Sequence, residues 1–235
     1  MNKEALKAIF DHQAASYDEQ WEKRAPILGA LFYLMEAQLS ELPDEARVLC
    51  VGVGTGAEVA HLARRFPRWH FTALDPSGAM LDVCRERARA EGFIDRCTFH
   101  EGYLETLPEG APHHAATCFL VSQFITDDAQ RAAFFGAIAD RLHPQGVLVS
   151  TDLCSGTRDD GLDALLYGWQ ILMSGPLASE EKRARMREAY TSDVAVRTAA
   201  QTAAIIEAGG FEAVTQFFQA SLIHGWVARR APRRG

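Results

Sequence analysis

The stretch that decides the fold is Val48-Leu-Cys-Val-Gly-Val-Gly-Thr-Gly56. Its apolar run, 48–53, suits a central strand buried on both faces. Glycines at 52, 54 and 56 then form a turn, and Val59, Leu62, Ala63 and Phe66 line one face of a helix that Pro67 stops. Glycine allows positive φ and a close approach of backbone to ligand. The unpaired N–H groups at the start of a helix carry partial positive charge suited to an anionic group. Gly52, Gly54 and Ala57 also satisfy G-x-G-x-x-G/A, so the glycines alone do not separate a dinucleotide from another nucleoside cofactor.

Outward from this turn, short apolar runs alternate with amphipathic segments, the pattern of a parallel sheet with crossover helices. Residues 70–74 read as a second strand ending at Asp75, and Ser77 can cap a helix burying Met80, Leu81, Cys84 and Ala88 before Gly92. Strands follow at 97–100 and 115–121. A helix after Asp127-Asp128 buries Phe135, Ile138 and Leu142, and Pro144-Gln145-Gly146 turns the chain into a fifth strand at 147–153. Upstream, Leu28, Leu31, Met35, Leu39 and Leu42 recur at helical spacing, so a helical preface should pack on the body. Downstream, a helix closed by Gly209-Gly210 leads to β-rich runs at 211–218 and 222–227. The gap between them is too short for a crossover, so they must be antiparallel.

Composition narrows the function classes. The chain has 235 residues, 48% hydrophobic and 23% charged, as in ordinary globular proteins. A net charge of -7 argues against wholesale binding to nucleic acid. The four arginines within 229–234 read as a solvated end. The longest apolar run, 28–35, is short of a membrane span, and no signal-peptide pattern opens the chain. Five cysteines with no C-x-x-C pair argue against a disulfide framework or zinc knuckle and favour reduced thiols in a cytoplasm. His113-His114 is read as exposed loop rather than metal site, because sequence neighbours point apart and no third ligand is suitably spaced. No metal is expected.

Asp75 follows Gly56 by nineteen positions, where a carboxylate can accept hydrogen bonds from a ribose diol. The glycine turn, Asp75-Pro76-Ser77, the fourth strand, Leu142-His-Pro-Gln-Gly146 and the terminal hairpin together resemble a class I S-adenosylmethionine-dependent methyltransferase over roughly residues 46–153. The resemblance implies an α/β, Rossmann-like doubly wound sheet of strand order 3-2-1-4-5-7-6, with a helical preface, a helical insert after strand 5 and an antiparallel C-terminal hairpin. It implies one methyltransferase domain: preface 1–45, cofactor-binding core 46–153, lid insert 154–197, final helix and hairpin 198–229. It implies S-adenosyl-L-methionine as cofactor and S-adenosyl-L-homocysteine as product.

The residue roles follow from the same resemblance. Val51, Gly52, Gly54, Thr55 and Gly56 would hold the methionine end, and Asp75, with Pro76 and Met80 in the same set, the ribose. Gly102, Tyr103 and Leu104 would flank the adenine, while Val121, Ser122 and Gln123 would lie near the sulfonium. The phrase Phe10-Asp-His-Gln-Ala-Ala-Ser-Tyr-Asp18 is similar to the lead-in of many members, in which the aromatic at the place of Tyr17 closes over the cofactor. Many members carry Asp where Tyr103 stands. Phe119-Leu-Val-Ser-Gln-Phe-Ile125 is loosely similar to the carboxy-S-adenosylmethionine synthase-like branch.

A nicotinamide oxidoreductase is the alternative outside the family, but no tyrosine is followed four places on by lysine, as the short-chain kind requires. The apolar insert with Leu162, Leu165, Leu166, Trp169, Ile171, Leu172 and Met173, broken by Gly175-Pro176, is expected either to cover a substrate or to pack on the body. A small-molecule acceptor is expected. Methyl transfer needs mainly alignment, and a base only where the accepting atom must lose a proton. Asp152, His143, His224 and Tyr17 are the candidates for that base, and none has a partner visible in sequence. The catalytic assignment stays open, as do the acceptor and the oligomeric state.

Overall fold

Eight strands alternate with helices in the computed structural model, which describes residues 2–22, 24–155, 161–175 and 179–232. Residues 156–160 of the expected insert, its break at Pro176, the Leu162 side chain and the arginines at 233 and 234 lie outside the described residues. The preface forms α1 (Lys3–Gln13), α2 (Tyr17–Glu22) and α3 (Ala25–Leu39). The core runs β1 (Arg47–Val51), α4 (Ala57–Arg65), β2 (His70–Asp75), α5 (Gly78–Ala90), β3 (Cys97–Glu101), β4 (His113–Phe119), α6 (Asp128–Asp140) and β5 (Leu142–Ser155). Then come α7 (Gly161–Ser174), α8 (Glu180–Ser192), β6 (Arg197–Thr198), α9 (Ala199–Ala208), β7 (Phe211–Ala220) and β8 (Ile223–Arg230).

The sheet order is β3-β2-β1-β4-β5-β8-β7, with the two-residue β6 pairing β5 off this path. Without β6 this is the expected 3-2-1-4-5-7-6. β1 to β5 are mutually parallel, while β8 runs antiparallel to both β5 and β7. Alternation along the central strand explains its unbroken apolar character. Val48 and Cys50 enter one core with Val59, Leu62 and Leu81, while Leu49 and Val51 enter the other with Phe135, Ile138 and Ile206. Each face of the strand therefore has its own helical layer. α3 adds Met35 and Leu39 to the first core.

Two local readings are corrected. Pro144-Gln145-Gly146 is not a turn before β5 but lies inside it, with Gln145 at φ 62 and the β4–β5 register shifted between His113 and Ala115. The extra residues are absorbed as a bulge. His113 is not exposed loop: it opens β4, is 6% exposed, and its Nε2 lies 2.9 Å from Thr72 Oγ1. Burial first, with nearby arginines, lowers its pKa to about 4. His114 is half-buried, its Nδ1 accepting the Arg47 N–H.

Candidate active site

The switch point of the sheet lies between β1 and β4, whose neighbours run outward in opposite directions along the chain. In open α/β sheets the crevice beyond the strand ends at this point takes the ligand. Gly52, Gly54 and Gly56 occupy it at φ 66, 53 and 79, all in the left-handed region. Two of them also answer a packing demand: a Cβ on Gly52 would overlap Val121, and one on Gly56 would overlap Cys84. Gly54 has open space where its Cβ would stand. The turn thus rests on Val121 and Cys84 and presents Gly54 outward.

Asp75 closes β2 and braces that turn. Its Oδ2 accepts the Gly54 N–H at 2.9 Å and its Oδ1 the Ser77 N–H at 2.9 Å. Each oxygen keeps a second lone pair for a ligand hydroxyl. Burial first, and Asp11 last, raise its pKa, against the two N–H bonds that lower it. Ser77 caps α5 by accepting the Met80 N–H at 3.1 Å and donates its own hydroxyl to Asp11 at 2.6 Å. Helix α1 is so fastened to the start of α5, and Lys7 pairs with Asp11 at 2.8 Å.

The preface closes over the turn. Thr55, 3% exposed, donates its hydroxyl to Asp18 at 2.7 Å, and Asp18 also pairs with Arg87. The Tyr17 ring lies 6.5 Å from Phe10 and 6.1 Å from Trp21, and Phe10 packs 5.8 Å from Phe124 in the turn after β4. Burial, then the charges of Asp75 and Glu58, push the Tyr17 phenol to about 12, so it stays protonated. As a base it is disabled; as a neutral donor it is available.

Tyr103, for which an adenine contact is implied, meets the preface. Its hydroxyl donates to the Lys3 carbonyl at 3.0 Å, and the Lys3 ammonium sits 4.4 Å above its ring. It docks α1, and Gly102 and Leu104 flank it at the end of β3. Val121 faces the glycine turn, but the side chains of Ser122 and Gln123 point inward. Ser122 Oγ donates to Asp152 at 2.9 Å, and Gln123 Oε1 accepts the Leu153 N–H at 2.8 Å. Met80 is packed at 1% exposure and Pro76 follows Asp75 in the turn, half-buried.

The candidate bases fare poorly. Asp152 is fully buried, with Arg131 Nη2 3.0 Å from its Oδ1. His143 stands near the start of β5, at the opposite edge of the sheet, with its ring 4.7 Å from that of His114. His224 pairs in register with Asp152 near the crevice edge but is 2% exposed, and Gln216 Nε2 lies 3.2 Å from its Nδ1. Among the described residues no group of three or more metal-ligating side chains converges.

Sequence reading missed Glu58 and Arg24. Glu58 is the second residue of α4, where an acidic side chain ordinarily reads as a surface complement to the helix dipole. It is instead 8% exposed, and burial raises its pKa to about 8 against the pull of Arg87. Arg24 precedes α3 and is 3% exposed. Nothing in the local pattern marks either as interior. Part of the insert packs on the body. Leu166 and Trp169 pack with Leu31, Leu153, Leu222 and Ile223, whereas Met173 reaches Arg24. Tyr167 and Leu172 are exposed. Open clefts of 480 Å³ between α7 and α8, and of 950 Å³ between α6, α9 and the hairpin, lie away from the glycine turn, which the preface covers.

A methyltransferase-domain family profile matches residues 48–146. The carboxy-S-adenosyl-L-methionine synthase of Dichelobacter nodosus is 27% identical over 224 residues, covering 93% of this chain and 91% of that one. The malonyl-[acyl-carrier protein] O-methyltransferase of Bacillus cereus is 29% identical over 107 residues, 46% of this chain and 38% of the relative, so this chain spans under two fifths of that protein's length. Among solved structures, the complex of DhpI with S-adenosylhomocysteine superposes with a TM-score of 0.66 at 18% identity, covering 98% of this chain and 97% of that one. A likeness at that identity establishes the fold. No described helix is long and apolar enough to cross a membrane.

Proposed function

We propose that this chain, whose residues 48–146 match a methyltransferase domain, is a class I S-adenosylmethionine-dependent methyltransferase that transfers a methyl group from that cofactor to a small molecule. The observation that carries the reading is the charge around the glycine turn. Asp75 and Glu58 both act on Tyr17, Asp18 bonds Thr55, and Asp11 lies close enough to raise the Asp75 pKa. Asp75, Asp11 and Asp18 put carboxylates about one crevice, the last two shared with Lys7 and Arg87, while Glu58 is a neutral acid below about pH 8. This setting suits a ligand bearing a sulfonium and an ammonium better than a diphosphate. The donor set therefore fits S-adenosylmethionine and opposes a nicotinamide dinucleotide.

When bound, the cofactor supplies an electrophilic methyl group. The chain's part is to hold and shield it. Gly54 offers open backbone, Asp75 its remaining lone pairs to the ribose, and Val121 an apolar wall. Val51, Gly52, Thr55, Gly56, Pro76, Met80, Gly102, Tyr103, Leu104, Ser122 and Gln123 complete the proposed cofactor set, the last two through backbone. Tyr17, Phe10 and Trp21 exclude water, which favours an in-line displacement governed by positioning. The chain acts as one domain, and its free cysteines, four of five buried, favour a reducing cytoplasm.

A second reading is favoured by one observation: the carboxy-S-adenosyl-L-methionine synthase match runs nearly end to end in both chains. In that reading the cofactor itself is modified. Calorimetry with S-adenosylhomocysteine and with NAD tests the common ground of both. Tight binding of NAD with no heat from S-adenosylhomocysteine would sink the proposal. Mass spectrometry of the cofactor after turnover separates the two family readings.

A further inference from the structure

Arg24 is a buried guanidinium with no acidic partner among the described residues. Nη2 donates to the Gln20 carbonyl, Nη1 lies 2.9 Å from the Met173 thioether, and Nε has no partner among the described residues. The Trp21 ring stacks 4.4 Å from its central carbon. A thioether is a weak acceptor, so the guanidinium is incompletely satisfied at 3% exposure. An uncompensated buried charge is costly, and folds keep one where something else completes it.

The position says what that is. Arg24 stacks on Trp21, whose ring lies 6.1 Å from that of Tyr17, so the cation borders the aromatic cover of the glycine turn. Tyr190 of α8 also feels Arg24, and its hydroxyl is held by Trp169 of α7. Preface and insert thus meet on this one cation, through the Trp21 ring on one side and Met173 on the other. We propose that Arg24 anchors a carboxylate of the methyl acceptor, making the substrate a small organic acid with a flat or apolar body. The proposal rests on the methyltransferase reading above. The edge formed by Nε–H and one Nη–H matches the two oxygens of a carboxylate. A single cation suits a monoanion better than a phosphoryl dianion, which gathers several donors.

The test uses the full chain saturated with S-adenosylhomocysteine, probed by thermal melting with benzoate and phenylacetate against their amides, and repeated in Arg24→Met. The acids should raise the melting temperature of wild type while the amides do not, and Arg24→Met should lose that response, with acid affinity down about tenfold or more. The variant should still bind S-adenosylhomocysteine within a few-fold. Without ligands it should melt a few degrees above wild type, because an unpaired buried charge has been replaced by an apolar chain. A variant that melts lower would make Arg24 a structural residue and overturn the proposal. Equal effects of acids and amides on wild type, or an acid response surviving in Arg24→Met, would overturn it too. Failure of wild type to bind S-adenosylhomocysteine would instead strike the methyltransferase reading, which the calorimetry reads separately.

Discussion

Asp18 accepts the hydroxyl proton of Thr55 at 2.7 Å, a single bond that ties helix α2 to the glycine turn across 37 positions of sequence. The same carboxylate pairs with Arg87 of α5, so one side chain clasps preface, turn and core. Because Asp18 is about half exposed (47%), the clasp is worth only about 1 kcal/mol. Asp18→Ala should therefore leave the fold intact and speed amide exchange in residues 10–21 by about fivefold. Adding S-adenosylhomocysteine should slow exchange there in wild type, with little change in β1. Equal protection of residues 10–21 in free and bound protein would make the preface permanent packing.

Breaking the pair of Arg131 with Asp152 should do the opposite: great damage to stability with no chemistry involved. Both side chains are 0% exposed, and Ser122 bonds the carboxylate at 2.9 Å. Removing one partner of such a pair costs about 3–5 kcal/mol, whereas replacing both by apolar residues is far milder. Urea denaturation of Arg131→Met, Asp152→Leu and the double variant reads the difference. If the singles cost no more than the double, the triad is not coupled and Asp152 regains its standing as a candidate base.

How much of this was legible follows from the range of the forces involved. The strand at 48–53, the glycine turn and the terminal hairpin declare themselves through local periodicity and chain-length limits, whereas the sheet order came with the family resemblance. Asp75 closes the second strand, as its spacing after Gly56 suggested. Pro144-Gln145-Gly146 misled, since a bulge and a turn share turn-prone residues and differ only in whether a neighbouring strand keeps pairing past them. His113 misled because its burial comes from Thr72 on another strand. The inward turn of Ser122 depends on Arg131 of α6, and the docking role of Tyr103 on Lys3 of α1. Arg24 and Glu58 look like surface residues because only the assembled preface and core bury them.

Asp75 should show two effects at once. Asp75→Ala removes the acceptor of two backbone N–H groups as well as the proposed ribose contact. Each charge-assisted bond is worth about 1.5–3 kcal/mol, so stability should fall by roughly that amount or more. S-adenosylhomocysteine affinity should fall about tenfold or more. Asp75→Asn, which keeps one carbonyl oxygen, should lie between. Calorimetry at a temperature where all variants are folded separates the effects. Unchanged affinity in folded Asp75→Ala would reduce the carboxylate to a turn brace.

Glu58 should leave its mark on stability against pH. Its folded pKa is about 8, raised chiefly by burial, against an unfolded value near 4.5. Between these values the folded state holds a proton that the unfolded state has lost, so stability falls as pH rises. The penalty is absent below the unfolded value, grows through the interval, and is complete above the folded one. His113 works in the opposite sense, since its pKa is lowered from 6.5 to about 4 and the cost of keeping it neutral appears as pH falls through that range. Above pH 6.5 the His113 contribution is spent and Glu58 dominates. Denaturant titrations of ligand-free protein from pH 6.5 to 8 should show stability dropping by on the order of 1–2 kcal/mol. Glu58→Gln should flatten that slope and be the more stable protein at pH 8. A slope that survives the substitution would place the titrating group elsewhere.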